Sequence, residues 1–322
     1  MPHVDSRTTA PIITVFGATG AQGGGLARAI LADARKRFRL RAVTRKPHAP
    51  AARALAEAGA DVVIGDLDDR DSLRRAMEGA HGAFCVTNFW EHFSPDRELA
   101  QAENLAQGAL DARVRHVIWS TLEDTRGFVA PGSGRMPVLG GRFNVPHFDA
   151  KGEANKSFTG RKLPTTLLYT SFYWDNLIHF GMQPKRGADG TLGFVLPMGK
   201  AKLPGIAAGD IGKCAFSVFA RGDELVGKSI GIAGEHLSGA DMAEELSLAL
   251  GEPVRHVDLS PAEYRALGFP GADDLGNMFE FKRDFEHAYR AARSLTCSRE
   301  LNPDLLTFRA WLGENKSRLP IG

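Results

Sequence analysis

The sequence predicts an α/β fold: a Rossmann-type doubly wound parallel sheet with a smaller C-terminal α+β lobe. Three observations carry this expectation. A short apolar run enters a glycine cluster, VFGATGAQGGG at 15–25. Strand-like and helix-like patterns then alternate as far as residue 180. Beyond that point the rhythm loosens into Gly- and Pro-rich text such as GMQPKRGADGTLGF.

Ile12 to Phe16 is nearly all apolar and ends at glycine, as expected of a parallel strand covered on both faces. From Gly24 onward Leu26, Ala27, Ile30, Leu31 and Ala34 fall at helical spacing, which places a helix start inside the glycine run. Leu40 to Thr44 and Asp61 to Ile64 read as strands, each followed or preceded by a helix: Ala51 to Ala58, ending at Gly59, and Asp71 to Met77. Phe84 to Thr87, His116 to Ser120 and Thr165 to Tyr169 continue the strands, with a long helix over Arg97 to Ala112. Helical connections of this length require crossovers, which are right-handed almost without exception, so the sheet is expected to be parallel. Residues 1–180 are assigned to this domain and 181–322 to the smaller lobe, with the sheet open to recruiting later strands. In the lobe, Ser238 with Asp241 and Ser260 with Glu263 are capping boxes opening helices Gly239 to Leu250 and Pro261 to Leu267.

Bulk properties exclude several classes. The 322 residues contain 43% hydrophobic and 24% charged residues, ordinary globular values, and no apolar run is long enough to cross a bilayer. MPHVDSRTTA at the start lacks the pattern of a secretory signal. Cys85, Cys214 and Cys297 form no metal spacing and cannot all pair, which suits a reducing cytoplasm. A net charge of +2 gives no global reason to expect nucleic acid or a membrane surface. The basic run ARKRFRLR at 34–41 reads as a solvated helix end entering a strand; duplex DNA is the competing reading.

Gly17, Gly20 and Gly23 repeat every third residue. The first permits a tight turn off the strand, the second a close approach of backbone to a pyrophosphate, the third close helix–strand packing. The helix start that follows offers free N–H groups and a positive dipole end. A dinucleotide site follows from this context. Where a carboxylate would favour NAD, the second strand ends in VTRKP, so Arg45 favours the 2′-phosphate of NADP(H). GDLDD puts Asp66 and Leu67 at the expected adenine position, with Asp68 and Asp69 as helix caps. Thr87, Asn88 and Phe89 end the fourth strand, where open parallel sheets contact ligands; Asn88 could bond a ribose or cap a turn.

GATGAQGG, VTRKP, GDLDD, TNFWEHFS, HFDAKGE, YWDNL and GFPGADDLGNMF occur in this order. Together they resemble the NmrA-like family of atypical short-chain dehydrogenases/reductases, and within it the HSCARG-type branch of NADPH sensors. The resemblance covers nearly the whole chain. It implies a Rossmann domain, a smaller C-terminal lobe, and phosphate contacts from Gly17, Ala18, Thr19, Gly20, Ala21 and Gln22. It also implies Arg45 at the 2′-phosphate, Asp66 and Leu67 at the adenine, and Thr87, Asn88 and Phe89 along the nicotinamide half, with Lys151, Tyr173, Trp174, Asp175 and Asn176 completing the set. Gly25 departs from the branch, which has serine there.

Ordinary short-chain dehydrogenases use Tyr-x-x-x-Lys, in which the lysine holds the ribose and helps the phenol pass a proton. Here Lys151 is present, but His147 stands four residues before it, and none of the four tyrosines precedes a lysine by that spacing. His147 lies one helical turn from Lys151 on the same face and is one candidate proton donor; the lysine charge opposes a second cation, and a packing role is the alternative. Tyr173 is the other candidate, with a pocket wall as its alternative. Ser120 and Thr121 end the fifth strand, where a hydroxyl can orient a carbonyl or make a turn. Met278, Phe279 and Phe281 fit one apolar helix face, in the core or along a pocket.

The expected function is an NADPH-dependent oxidoreductase acting on a small carbonyl, imine or quinone, with Lys151 fixing the cofactor and His147 or Tyr173 assisting the proton. The alternative is a redox sensor that holds NADPH without turnover and acts through a protein partner or a homodimer.

Overall fold

The computed structural model describes residues 10–321; the N-terminal stretch read for a signal lies almost wholly outside them. Six strands of the main sheet come first along the chain: β1 (Ile12–Val15), β2 (Arg39–Thr44), β3 (Asp61–Ile64), β4 (Gly82–Cys85), β5 (His116–Thr121) and β6 (Thr165–Tyr169). They are connected by α1 (Ala21–Ala32), α2 (Pro50–Glu57), α3 (Arg70–Met77), α4 (Pro95–Asp111) and α5 (Pro146–Thr159). Then follow β7 (Phe172–Tyr173), α6 (Asn176–His179), β8 (Lys185–Arg186), β9 (Leu192–Val195), β10 (Leu203–Ile206), α7 (Ala208–Arg221), β11 (Ser229–Gly231) and β12 (Glu235–Leu237). The chain ends with α8 (Gly239–Leu250), β13 (Val254–Val257), α9 (Pro261–Arg265), α10 (Ala272–Asp284), α11 (Glu286–Ala291), α12 (Leu295–Leu301) and α13 (Phe308–Asn315).

The seven-stranded sheet has the order β11-β6-β5-β4-β1-β2-β3, with every pair parallel. Strand side chains alternate between its faces. Ile13, Val15, Phe84 and Ile118 pack with Leu26, Ile30, Ile211 and Val218 of α1 and α7. Ala83, Cys85, Val117 and Trp119 pack with Leu73, Leu105 and Phe158 of α3, α4 and α5 on the other face. The expected doubly wound architecture is therefore present, and the smaller lobe is built on two three-stranded mixed sheets, β12-β10-β7 and β13-β9-β8. A third apolar cluster centred on Trp174, Phe279, Phe308 and Trp311 holds that lobe together.

Past residue 180 the chain returns to the first layer: α7 lies against α1, and β11 pairs with β6 at the sheet edge. The α1–α7 crossing explains the departure at Gly25. A Cβ there would sit 2.7 Å from the Gly209 carbonyl, and one on Gly212 would sit 2.0 Å from the Leu26 nitrogen. Bare backbones let the two helices touch.

Several boundaries move. α1 begins at Ala21 rather than Gly24, because the glycines themselves take helical geometry. β4 is Gly82–Cys85, shifted back from the expected Phe84 to Thr87, since the buried central stretch starts at the glycine and Thr87 lies beyond its end. α4 starts at Pro95, with Ser94 as its cap, two residues before the expected Arg97. α9 closes at Arg265 instead of Leu267. Both capping boxes form as expected. In the basic run, Arg37 bonds Asp33 and Arg41 bonds Asp61 across neighbouring strands, the solvated strand-entry arrangement.

Candidate functional site

Strand order reverses between β1 and β4, and parallel sheets open a crevice at the C-terminal strand ends at such a point. A cavity of about 550 Å³ occupies it, walled by the loop after β1, the ends of β2 to β4, α5, the turn after β6, and α10 with α11. Among the described residues no cluster of three or more His, Cys, Asp or Glu side chains could hold a metal, and no helix is long and apolar enough to cross a membrane.

The glycine loop forms one end. Gly17 has φ +64°, the left-handed turn that takes the chain off β1. A Cβ on Gly23 would lie 2.4 Å from the Gly17 carbonyl, so close packing of α1 on that turn demands glycine there. Gly20 occupies the N-cap position without a side-chain cap bond, and the first turn of α1 carries no acid, leaving its N–H groups directed at the cavity mouth. Gly17, Thr19, Gly20, Ala21 and Gln22 line the cavity; the Ala18 side chain is instead packed in the core beneath. This cradle fits a pyrophosphate.

Arg45 borders the cavity and pairs with Glu91 at 2.6 Å, both about half exposed. Asp66 and Leu67 line the same region. Asp69 caps α3 as expected, accepting from the Asp71 and Ser72 amides, whereas Asp68 pairs with Arg97 and Gln101 of α4. That pair holds the Asp68 carboxyl below its ordinary range through the Arg97 hydrogen bond. Asn88 is exposed, lines the cavity and makes no cap bond, leaving its amide free for a ligand. Phe89 is buried at the same edge.

Lys151 sits on the cavity floor in a closed polar knot. Its Nζ lies 2.7 Å from Glu98 Oε1 and donates to Thr87 Oγ1 at 2.6 Å and to the Thr87 carbonyl at 3.1 Å. The Thr87 hydroxyl in turn donates to Glu98 at 2.6 Å. Nδ1 of His92 accepts from the Ser94 amide, so Nε2 carries the proton and points at Glu98 Oε2 over a long 3.4 Å. Burial raises the Glu98 carboxyl, but the Lys151 charge and these donors overcome it and bring it down to about 2.

Helix α5 carries both Lys151 and His147, and Asp149 fixes its start by accepting from the amides of Thr125, Asn144 and Val145. His147 is buried, with its ring 4.8 Å from Trp90 and its Nδ1 on Asp274 Oδ1; Asp274 Oδ2 also accepts from the His147 amide at 3.1 Å. Among the described residues Nε2 has no partner, and His147 lines the cavity. The GFPG segment makes this contact: Gly271, at φ +87°, turns the chain against Trp90 and starts α10, delivering Asp274.

Tyr173 also lines the cavity, joined to the glycine-loop helix by a relay. Ser120 Oγ donates to Gln22 Oε1 at 2.7 Å, and Gln22 Nε2 donates to Tyr173 Oη at 2.5 Å. Burial pushes the phenol up to about 12, against hydrogen bonds that lower it. Asp175 and Asn176 border the cavity, and Asp175 accepts from the Ala208 amide at the start of α7 at 2.8 Å. Trp174 is the exception. It is 1% exposed and packs over Gly205 between Phe308 and Trp311, because the turn that follows β7, held by the Trp174 amide donating to the Ile206 carbonyl at 3.0 Å, directs the side chain into the lobe core.

Glu98 and Asp274 were not read from sequence as site residues, since both act on partners distant in the chain and stand in helices with no local signal. Lys282 and Tyr289, which line the cavity from α10 and α11, were missed for the same reason. Met278 of the expected apolar face does reach the cavity, while Phe279 and Phe281 stay in the core.

Fold and crevice together define a Rossmann-type α/β protein with a ligand cavity at the switch point of its sheet. The NmrA-like family profile matches residues 9–312, and the chain belongs to that family. It is 27% identical over 294 residues to the NmrA-like family domain-containing oxidoreductase lnbB of Aspergillus flavus, covering 85% of this chain and 83% of that one. Among solved structures it is similar to NmrA, a negative transcriptional regulator, in complex with NADP, at TM-score 0.76, 22% identity and 95% coverage of both chains. It is also similar to the triphenylmethane reductase of Citrobacter sp. complexed with NADP(H), at TM-score 0.73 and 18% identity, covering 94% of this chain and 99% of that one.

Proposed function

We propose that this protein is an NADPH-dependent oxidoreductase that reduces a small carbonyl, imine or quinone. The observation that carries the reading is Lys151, held at the cavity floor by Glu98 and Thr87, one helical turn from a histidine whose Nε2 is free. The uncapped α1 start and the Gly17–Gly23 cradle would take the pyrophosphate, Arg45 the 2′-phosphate, Asp66 and Leu67 the adenine, and Asn88 with Lys151 the nicotinamide ribose. Structures of NmrA with NAD and with NADP, and the named oxidoreductase relatives, support a nicotinamide cofactor in this crevice.

Bound there, a reduced nicotinamide supplies a hydride. The protein's part is to orient the acceptor, exclude water with Trp90 and Phe89, and supply a proton to the reduced oxygen or nitrogen. We assign that proton to His147: Asp274 fixes its Nδ1–H, leaves Nε2 facing the cavity, and provides a counter-charge when the ring is positive. Tyr173 is the weaker acid, because its phenol is raised and engaged by Gln22, and its role is to position the α1 helix and the substrate.

The test is to follow reduced-nicotinamide absorbance on mixing the protein with NADPH and a panel of quinones, imines and carbonyls. Turnover lost in Lys151→Ala supports the enzyme. No turnover with any member, together with an NADPH-dependent change in assembly, replaces it with the sensor, which requires unequal affinity for NADPH between two states.

A further inference from the structure

On the α10–α11 wall of the same cavity, two polar groups have no adequate partner among the described residues. Lys282, 3% exposed, points its Nζ among the rings of Phe148, Tyr289 and Phe279, at 5.3, 5.4 and 5.9 Å from their centroids. Its sole hydrogen-bond partner among the described residues is the Met278 sulfur at 3.2 Å, a weak acceptor. Tyr289, also 3% exposed, lines the same cavity, and its Oη has no hydrogen-bond partner among the described residues. A buried ammonium without a carboxylate and a buried phenol without an acceptor both cost stability, and such groups are kept where a ligand completes them.

The nearby charges do not answer this need. Arg293, fully buried with its guanidinium 3.7 Å over the Tyr289 ring, is already spent on Glu123 in a two-pronged pair at 2.6 and 3.0 Å. His147, next to Phe148, is held by Asp274. Burial, reinforced by Arg293 and opposed by Glu123, brings the Lys282 ammonium down to about 7.

We propose that Lys282 and Tyr289 form an anion subsite for a carboxylate, and that the reducible compound turned over here carries one. Two donors in an aromatic cage match the two oxygens of a planar monoanion; a phosphate, with more oxygens and more charge, would leave acceptors unmet. Phe148 lies under Lys282 and adjoins His147, so the carboxylate end and the reducible end of the substrate fall on neighbouring residues of α5. The second half of the proposal rests on the oxidoreductase reading; the binding of a carboxylate does not.

Benzoate, with benzamide as its neutral counterpart, tests the subsite by calorimetry on the whole protein, with and without NADP⁺. Benzoate is expected to bind about tenfold more weakly at about pH 8 than at about pH 6, with proton uptake, because the ammonium must be charged to receive it. Benzamide is expected to show no such dependence. Lys282→Met, a shape-conserving change in an apolar cage, should remove the pH dependence and at least tenfold of the affinity, and Tyr289→Phe should weaken binding severalfold. Equal benzoate binding in native protein and Lys282→Met, or pH-independent binding, overturns the proposal. Failure of benzoate to bind while NADP⁺ binds also overturns it and leaves the cofactor reading intact; failure of NADP⁺ alone removes the cofactor reading and leaves the subsite to the benzoate titration.

Discussion

Lys151 and Glu98 form a buried 2.7 Å ion pair, so the position of the lysine at the cavity floor is set by a carboxylate from α4. Both side chains also share the Thr87 hydroxyl, which donates to one and accepts from the other. Removing the acid leaves a buried cation unmatched.

Glu98→Gln is therefore expected to cost about 3–5 kcal/mol of stability at neutral pH, measured by urea unfolding. The pH dependence has a definite sign. The Glu98 carboxyl is lowered to about 2 in the folded protein from 4.5, so its contribution is complete above about 4.5 and is lost as pH falls toward 2. The variant should show a flatter acid limb; an unchanged limb would place the acid sensitivity in other carboxylates.

Arg45 and Glu91 are paired at the surface, where such a bond is worth about 0–1 kcal/mol and yields readily to a phosphate. Arg45→Ala should weaken NADPH binding by about 10- to 100-fold with NADH affinity nearly unchanged. Glu91→Gln, which frees the arginine, should tighten NADPH severalfold. Calorimetry of the two cofactors decides, and equal losses for both would refute the 2′-phosphate assignment.

Asp274→Asn keeps the shape of the contact on His147 but removes the counter-charge and the preference for Nδ1–H. Turnover is expected to fall about 10²- to 10⁴-fold while NADPH affinity stays within about twofold. A parallel loss of cofactor binding would show that the pair serves only to hold α10 on α5.

Gly212→Ala forces a methyl group into the Leu26 backbone at the α1–α7 crossing. It should cost about 1–3 kcal/mol or more and weaken the cofactor with it, because α1 opens the phosphate cradle. Gly313→Ala in α13, where a Cβ meets nothing within 4 Å, is the control and should be neutral or stabilising by up to about 1 kcal/mol. Thermal melts with and without NADP⁺ read both.

Much of this arrangement was legible because its causes are local. Apolar strand runs, serine caps with a carboxylate three residues on, and glycines at a turn each act within one element, and β6, α8 and both capping boxes fall where their residues place them. The glycine loop was legible for the same reason. His147 could be noticed from its spacing to Lys151, but its partner Asp274 lies 127 residues away. Glu98 sits inside an amphipathic helix where an acid ordinarily faces water, and its burial depends on α5 arriving against α4. Trp174 came in with the YWDN motif as a whole, and a motif match does not tell which of its residues face the cavity: Tyr173, Asp175 and Asn176 do, whereas Trp174, in the turn after β7, packs in the lobe core.

The return of α7 and β11 to the first layer bears on how the protein is made. A nascent chain that has emerged only through β6 has an unpaired strand edge and an α1 stripped of its partner helix, the kind of surface that invites aggregation. The glycine loop opens that same α1, so the helix that carries it gains its α7 contact only once residues 208–231 have followed.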